Sequence, residues 1–430
     1  MTRVPSHHAW NAPRLQASAA GTLVLIGGAL DESAEILQRV VELAASGRNE
    51  RSNGRGALGG APRIAILTTA SEPAESADAA ASGTEENDEA DGRYYVELFA
   101  RHGAVGVPIP VGASSEPSYE GSSYHRGSAR SEQIAELVRS CDGVFLGGGD
   151  QTHYVLALFE SARPGLPPFG DRRDTAVMRA LREVLDRGGV VAGTSAGLAV
   201  QQAAPMVSGG TSRAAWQHGA TPGYEDDDRL RYIETGGLGF FGEGLLDSHF
   251  NEWGRVPRAI RLAHDTNERL AIGVDEHTAL VYSRADRTGE VIGSGGVSML
   301  DISEAEFDDG AHDKSVMGVR WSHLTAGDRY DFAAGETSRA AEILFAPGTS
   351  EAPKPVIDIW GEDRGIELLR LAQGLLASPG LTASATTGTT ELAAASEFSI
   401  SLRRDSRTTW TRPGGFAELC LSIIPLSPTS

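Results

Sequence analysis

The sequence predicts an α/β fold built on a doubly wound, mostly parallel sheet, followed by a β-rich C-terminal extension. Three observations predict it. From Gly21 short apolar runs alternate with helical periods, and helix-length connections between successive strands call for parallel crossovers rather than a sandwich. Several of those runs end in glycines, as in "LIGGAL", "FLGGGD" and "VVAGTSAG", where an open α/β sheet carries its site. After about Tyr282 the pattern turns strand-like, with "GEVIGSGGVSML", "VMGVRWSHLTAGDRYDF", "EFSISLRRDS" and "FAELCLSIIPL".

The elements follow in order. "TLVLIGGAL" is a first strand. "DESAEILQRVVELAASG" then sets Ile36, Leu37, Val40, Val41 and Leu43 on one helical face, with Gly47 closing the helix. "RIAILTTAS" and "YYVELFARHGA" form a second unit, "VGVPIPV" and "SEQIAELVRS" a third. "DGVFLGGGD" is a fourth strand, and "TAVMRALREVLDRGG" leads into "VVAGTSAG". Two segments break the rhythm: an acidic insertion within 71–92, read as a surface segment, and a second within 218–230, read as a solvated loop or a cap. Residues 378–396, rich in Ala, Thr, Ser and Gly, read as a linker. The expected organisation is a tail over 1–20, an α/β domain over 21–345 and an extension over 346–430 that covers a sheet edge or forms an interface.

Composition narrows the function classes. The chain has 430 residues, 40% of them hydrophobic, enough for a sizeable core. A formal net charge of -20 argues against nucleic-acid or anionic-membrane partners. Cys141 and Cys420, far apart, read as reduced buried thiols rather than a disulfide framework. The first twenty residues lack an apolar leader core and no run is long enough to span a bilayer, so the expected location is the cytoplasm.

The chemistry gathers on a few motifs. Gly193 to Gly197 read G-x-S-x-G on a strand-to-helix turn, a pattern that exposes the Ser195 hydroxyl and offers the Ala196 N–H to a developing oxyanion. A tight structural turn is the competing reading. "FLGGGDQ" places glycine amides and Gln151 at another strand end. It lacks the Lys-Ser/Thr of a phosphate-binding loop and the spacing of a dinucleotide fingerprint. A serine needs a base and the base an orienting acid. "GLLDSHFNEWGRVPR" offers His249, preceded by Asp247 and followed by Arg255 and Arg258; "LAIGVDEHTALVY" offers Asp275, Glu276 and His277 on a turn. On these residues alone His264, His277 and Asp247 stay open as substitutes.

In this order, "GGGDQ", "GTSAG", "DSHF" followed by G-R-x-x-R, and "IGVDEHTAL" resemble the cyanophycinases, serine peptidases of the family that also contains dipeptidase E. The similarity runs from about Gly21 to Phe332. The resemblance implies a flavodoxin-like sheet related to class I glutamine amidotransferase domains, with Ser195 as nucleophile, His249 as general base and Glu276 as orienting acid. It implies an oxyanion hole at Gly149 and Ala196 and a pocket lined by Gln151 and Asp247. It also implies cleavage of multi-L-arginyl-poly-L-aspartate to β-aspartyl-arginine, no metal or organic cofactor, and a homodimer.

The chain departs from the family pattern D-Q-H-F-x-x-R-G-R-x-x-R in two places: Ser248 replaces the glutamine and Trp253 the first arginine. Arg255 and Arg258 remain, suited to binding substrate carboxylates through paired hydrogen bonds, whereas Trp253 could stack on a guanidinium, narrow the pocket or simply pack. His153 stands where the family often has arginine. The alternatives are a dipeptidase or isoaspartyl peptidase of the same family, a glutamine amidotransferase-like domain (disfavoured by serine in place of cysteine), and an inactive polymer-binding homologue.

Overall fold

A computed structural model describes residues 21–30, 33–51, 60–81, 91–163, 165–224, 229–310, 314–344, 359–360, 365–387, 398–411 and 414–426. The fold is mixed α/β with two large sheets. In the nine-stranded sheet, the strands Thr22–Ile26, Val190–Thr194, Gly143–Leu146, Arg63–Leu67 and Val105–Pro108 run parallel, neighbour to neighbour in that order. On the other side of Thr22–Ile26 the sheet continues through Thr278–Ser283, Thr288–Gly293, Arg329–Asp331 and Glu336–Ser338, all antiparallel. The expectation of a mostly parallel sheet is therefore corrected to half parallel. Two of the four antiparallel pairs are hairpins, because the turns after Ser283 and Asp331 are too short for a helical crossover.

The first strand shows how both faces are filled. Leu23 and Leu25 enter one core with Val191, Leu146 and Leu280, while Val24 and Ile26 enter another with Ile36, Leu37 and Val40 of the Ala34–Arg51 helix. Alternation sends successive side chains to opposite faces, and because both faces are covered the strand reads as an unbroken apolar run. That helix continues through Gly47, where the sequence reading ended it; one internal glycine costs only about 1 kcal/mol against the packing of the whole face.

The second large sheet is mainly antiparallel. Its strands run in the order Leu245–Asp247, Leu270–Val274, Gly296–Asp301, Lys314–Thr325, Phe416–Pro425, Phe398–Arg403 and Thr382–Thr386, only the first pair being parallel. Residues 382–386, expected within a linker, form its last strand. The Phe416–Pro425 strand lies inside the sheet and not along an edge of the α/β unit.

The two sheets share a core, in which Leu246, Ile272, Val274 and Met299 of the second meet Leu25, Val191 and Leu280 of the first. Residues 275–277 lead from one sheet directly into the other, and Ser294 and Gly295 lead back. Within the two acidic insertions the described parts include a short helix, Ala77–Ala81, and a strand, Ala220–Pro222. Residues 1–20, 82–90, 225–228 and 388–396 of the segments singled out above lie outside the described residues. Both cysteines are buried and unpaired, and among the described residues no helix is long and apolar enough to cross a membrane.

Candidate active site

Ser195 follows the last residue of the Val190–Thr194 strand and precedes the short Ala196–Ala199 helix. Its backbone sits at φ 52, ψ -111, a region that a non-glycine residue occupies only when its surroundings hold it there. The surroundings do. A Cβ on Gly193 would lie 2.2 Å from the Gly197 carbonyl oxygen, and one on Gly197 would lie 2.1 Å from that of Leu146, so both glycines are required by contact. Buried Gln201 donates from Nε2 to the Gly197 carbonyl and ties the turn from below.

His249 arrives from the second sheet, two residues beyond the Leu245–Asp247 strand, and also carries a positive φ of 44°. Its N–H donates to the Gly27 carbonyl of the first sheet, while the next N–H, of Phe250, donates to Val274 of the second. Gly28 makes room for the ring: a Cβ there would fall 2.2 Å from an imidazole carbon, at a φ of +131°. Glu276 lies on the turn between the sheets, its N–H donating to Glu252 Oε2 at 3.3 Å.

These three side chains form a line. His249 Nε2 is 2.8 Å from Ser195 Oγ, and Nδ1 is 2.7 Å from Glu276 Oε1. An ionised carboxylate can only accept, so the proton belongs on Nδ1 and Nε2 is left to accept from the serine hydroxyl. Burial lowers the His249 pKa below its usual range and outweighs the hydrogen bond to Glu276, which favours the charged ring; the neutral base dominates at pH 7.

The line opens on a cleft of about 400 Å³. Gly149, Gln151, Ala196, Asp247, Ser248, Trp253, Arg255 and Arg258 all line it. Among the described residues no acceptor is found for the N–H of Gly149 or Ala196. Gln151 opens the Gln151–Leu158 helix and donates from Nε2 to the Val207 carbonyl.

The charged residues on the far side are engaged with one another. Arg258 donates from Nε and Nη2 to both oxygens of Asp247, at 2.8 and 2.7 Å, and from Nη1 to the Gly210 carbonyl. Arg255 donates from Nη1 to Asp247, to the Ser248 carbonyl and to Ser248 Oγ. Burial alone would raise the Asp247 pKa, but Arg258 and then Arg255 overcome it and the carboxylate is held ionised. Burial, then Arg258, lowers Arg255 to about 10, still a full cation at neutral pH. The fork of Arg258 is thus spent inside the protein, which separates it from Arg255, whose other guanidinium nitrogens carry no described bond.

Trp253 is 37% exposed and lies against His249 at a centroid distance of 5.1 Å, with the Arg255 guanidinium 4.9 Å from its ring. Of the three substitutes, Asp247 lines the cleft but is engaged by Arg258 and Arg255, and the two histidines fall elsewhere. His264 stacks on Phe307 and pairs with Asp265 and Asp309, and His277, whose backbone N–H donates to the Gly28 carbonyl, does not line the cleft. His153 reaches the Ala70 carbonyl and does not line the cleft.

Sequence reasoning missed the wall formed by Val207 to Ser212, and the receiving role of Gly27 and Gly28. The glycine pair was visible, but as the exit of a strand. What it receives comes from about 220 residues further on and leaves no local sign.

No family model matches the chain. Cyanophycinases of Trichormus variabilis and of Nostoc sp. are each 31% identical to it over 260 residues, 54% of this chain and 78% of theirs. A cyanophycinase of Synechococcus elongatus is 27% identical over 272 residues, 57% of this chain and 76% of its own. A crystal structure of a peptidase from an acI-B1 Actinobacterium aligns with a TM-score of 0.45 and 20% identity, over 74% of this chain and 98% of that one.

Proposed function

The chain belongs to the cyanophycinase family and is a peptidase, and from that premise we propose that it is a serine exopeptidase hydrolysing cyanophycin to β-aspartyl-arginine dipeptides. The observation that carries this reading is the line Ser195 Oγ, His249 Nε2, His249 Nδ1, Glu276, with 2.8 and 2.7 Å hydrogen bonds at the floor of a cleft. In the proposed mechanism the turn at Ser195 acts as a nucleophile elbow on a flavodoxin-like, glutamine amidotransferase-related sheet.

Neutral His249 takes the Ser195 proton as Oγ attacks the backbone carbonyl, and Glu276 stabilises the imidazolium without accepting its proton. The Gly149 and Ala196 amides receive the oxyanion, Ala196 from the start of a helix. His249 then protonates the leaving amine, and water activated by the same base releases the acyl group. Gln151, Ser248, Trp253 and Arg255 are the proposed substrate contacts, with Arg255 the cation that meets a carboxylate. Asp247 and Arg258 serve as its buried support. We further propose a homodimer in the cytoplasm.

A second reading, a dipeptidase or isoaspartyl peptidase acting on short acidic peptides, is favoured by one observation. Arg258 is consumed by Asp247, and an indole occupies the position of a further arginine, so the cleft has fewer free cations for the row of arginine carboxylates that the polymer carries and suits a substrate with one or two. One experiment separates the two. The parent and Ser195→Ala are incubated with insoluble cyanophycin and with Asp-X and β-Asp-X dipeptides, and products are identified by mass. Release of β-Asp-Arg by the parent alone supports the first reading. Dipeptide cleavage without polymer solubilisation supports the second, and turnover by Ser195→Ala removes both.

A further inference from the structure

The His249 loop is tied to the second sheet by a buried polar chain that the proposed reaction does not use. Asn251, two residues after the base, donates both its N–H (3.2 Å) and its Nδ2 (2.7 Å) to Asp275 Oδ1. The other oxygen, Oδ2, accepts from the Gly296 N–H. Asn251 Nδ2 also reaches Ser298 Oγ at 3.3 Å, and that hydroxyl lies 3.3 Å from Nδ1 of His323. Asn251, Asp275, Ser298 and His323 are each exposed by 3% or less. Four polar side chains in a core are costly unless mutually satisfied, and a half-satisfied network is worse than an apolar one.

The position of the chain is informative. Asp275 precedes Glu276, and Asn251 follows His249 by two, so this pair adds a buried side-chain tie to the Phe250–Val274 and Glu276–Glu252 bonds between the two segments that carry acid and base. Without it, the loop keeps its backbone bonds, His249 N–H on Gly27, Phe250 N–H on Val274, and the Trp253 and Arg255 N–H groups on His249 and Phe250, but loses its buried side-chain tie to the segment that carries the acid. We infer that Asp275, acting through Asn251, is a positioning residue that fixes the His249 loop and thereby the alignment of His249 between Ser195 and Glu276. The inference rests on the reading of His249 as the base. Other groups around the pair are consistent with a locked arrangement: burial, then the neighbouring Glu252, raises Asp275 well above the ordinary carboxylate range against the pull of its three N–H donors, and burial holds His323 near 3, a neutral ring. His323 therefore closes the chain without adding charge.

The test reads the base directly, without relying on the identity of the substrate. A fluorophosphonate labels a serine only when a base activates it, so the labelling rate of Ser195, followed by intact mass, reports the alignment. Parent, Asn251→Ala, Asp275→Asn and Asp275→Ala are compared at matched thermal stability margins, with Ser195→Ala as blank. A small misplacement of a catalytic group costs roughly a hundredfold, so Asn251→Ala and Asp275→Ala are expected to label roughly ten- to a hundredfold more slowly than the parent. Asp275→Asn keeps the acceptor for Asn251 but sets an amide NH2 against the Gly296 N–H, so it should recover part of the rate. On whichever peptide proves to be turned over, the loss should appear in kcat with KM little changed. A parent that does not label removes the reading of His249 as base; a parent that labels, with Asn251→Ala labelling equally fast in a folded state, overturns the positioning role alone. Asp275→Asn labelling no faster than Asp275→Ala would overturn it as well, and if Asp275→Ala does not fold, Asn251→Ala carries the test.

Discussion

The serine side and the histidine side of the cleft are built by opposite strategies. Ser195 and the Ala196 amide stand on five consecutive residues at the end of a parallel strand. The constraints on the turn come from that strand, its helix and the two strands beside it, Thr22–Ile26, whose Ile26 carbonyl accepts from the Ser195 N–H, and Gly143–Leu146. His249 and Glu276 stand on loops of a second sheet, and their placement depends on Gly27, Gly28, Val274 and Asp275. A local turn keeps its geometry if the rest of the molecule shifts. A base placed by two sheets does not, so the histidine side should be the more sensitive to substitutions away from the reacting atoms.

The largest expected effect tests the serine side itself. Ser195→Ala should lower kcat roughly a millionfold, to the level of the oxyanion amides and binding alone, in a single-turnover assay on the active peptide. Glu276→Gln should follow, with a loss of about ten-thousandfold in kcat because the amide stabilises the wrong imidazole tautomer; a loss below tenfold would mean that another carboxylate orients His249. Removing one partner of a buried ion pair costs about 3–5 kcal/mol, so Arg258→Ala, which leaves Asp247 buried against Arg255 alone, should lower unfolding free energy by that much in urea. An unchanged midpoint would show that Asp247 does not need Arg258.

Gly28→Ala should reduce Ser195 labelling by roughly a hundredfold and lower stability by about 1–3 kcal/mol, since the new methyl is strained at a φ of +131° and its nearest atoms are those of the imidazole. Equal rates would show that the ring can slide without consequence. The smallest effect is a shift in pH dependence. Burial lowers the His249 pKa, and the reaction needs the neutral ring, so activity should persist as pH falls below 6.5 and the acid limb of kcat/KM should have its midpoint below that value. The same direction fixes the stability effect. Below 6.5 the unfolded chain binds a proton that the folded one resists, so this group makes the protein less stable as pH falls through that window. An acid limb centred above 6.5 would contradict both.

The contrast also explains what could be read from the sequence. The parallel half of the first sheet, its helices and the Ser195 turn were legible because each depends on neighbours within a few residues: short unbroken apolar runs, apolar helical faces and glycines that flank a serine. His249 and Glu276 were distinguishable from His264, His277 and Asp247 only through the family resemblance, since their meeting depends on strand pairing over long separations. The antiparallel half was misjudged because the first crossovers set the expectation for the rest. Arg255 and Arg258, identical in the motif, differ only in what surrounds them, and Asp247 claims the fork of one and not of the other.

The interior place of the Phe416–Pro425 strand has a consequence in time. During synthesis Ser195, His249 and Glu276 all emerge well before it, yet the Lys314–Thr325 strand that holds His323 pairs with it along most of its length. A nascent chain therefore carries every reacting group and an unfinished seat for the base. The peptidase should come on only once the Phe416–Pro425 strand has docked; a chain halted before Phe398 that labelled Ser195 at the parent's rate would show that the seat is complete without it.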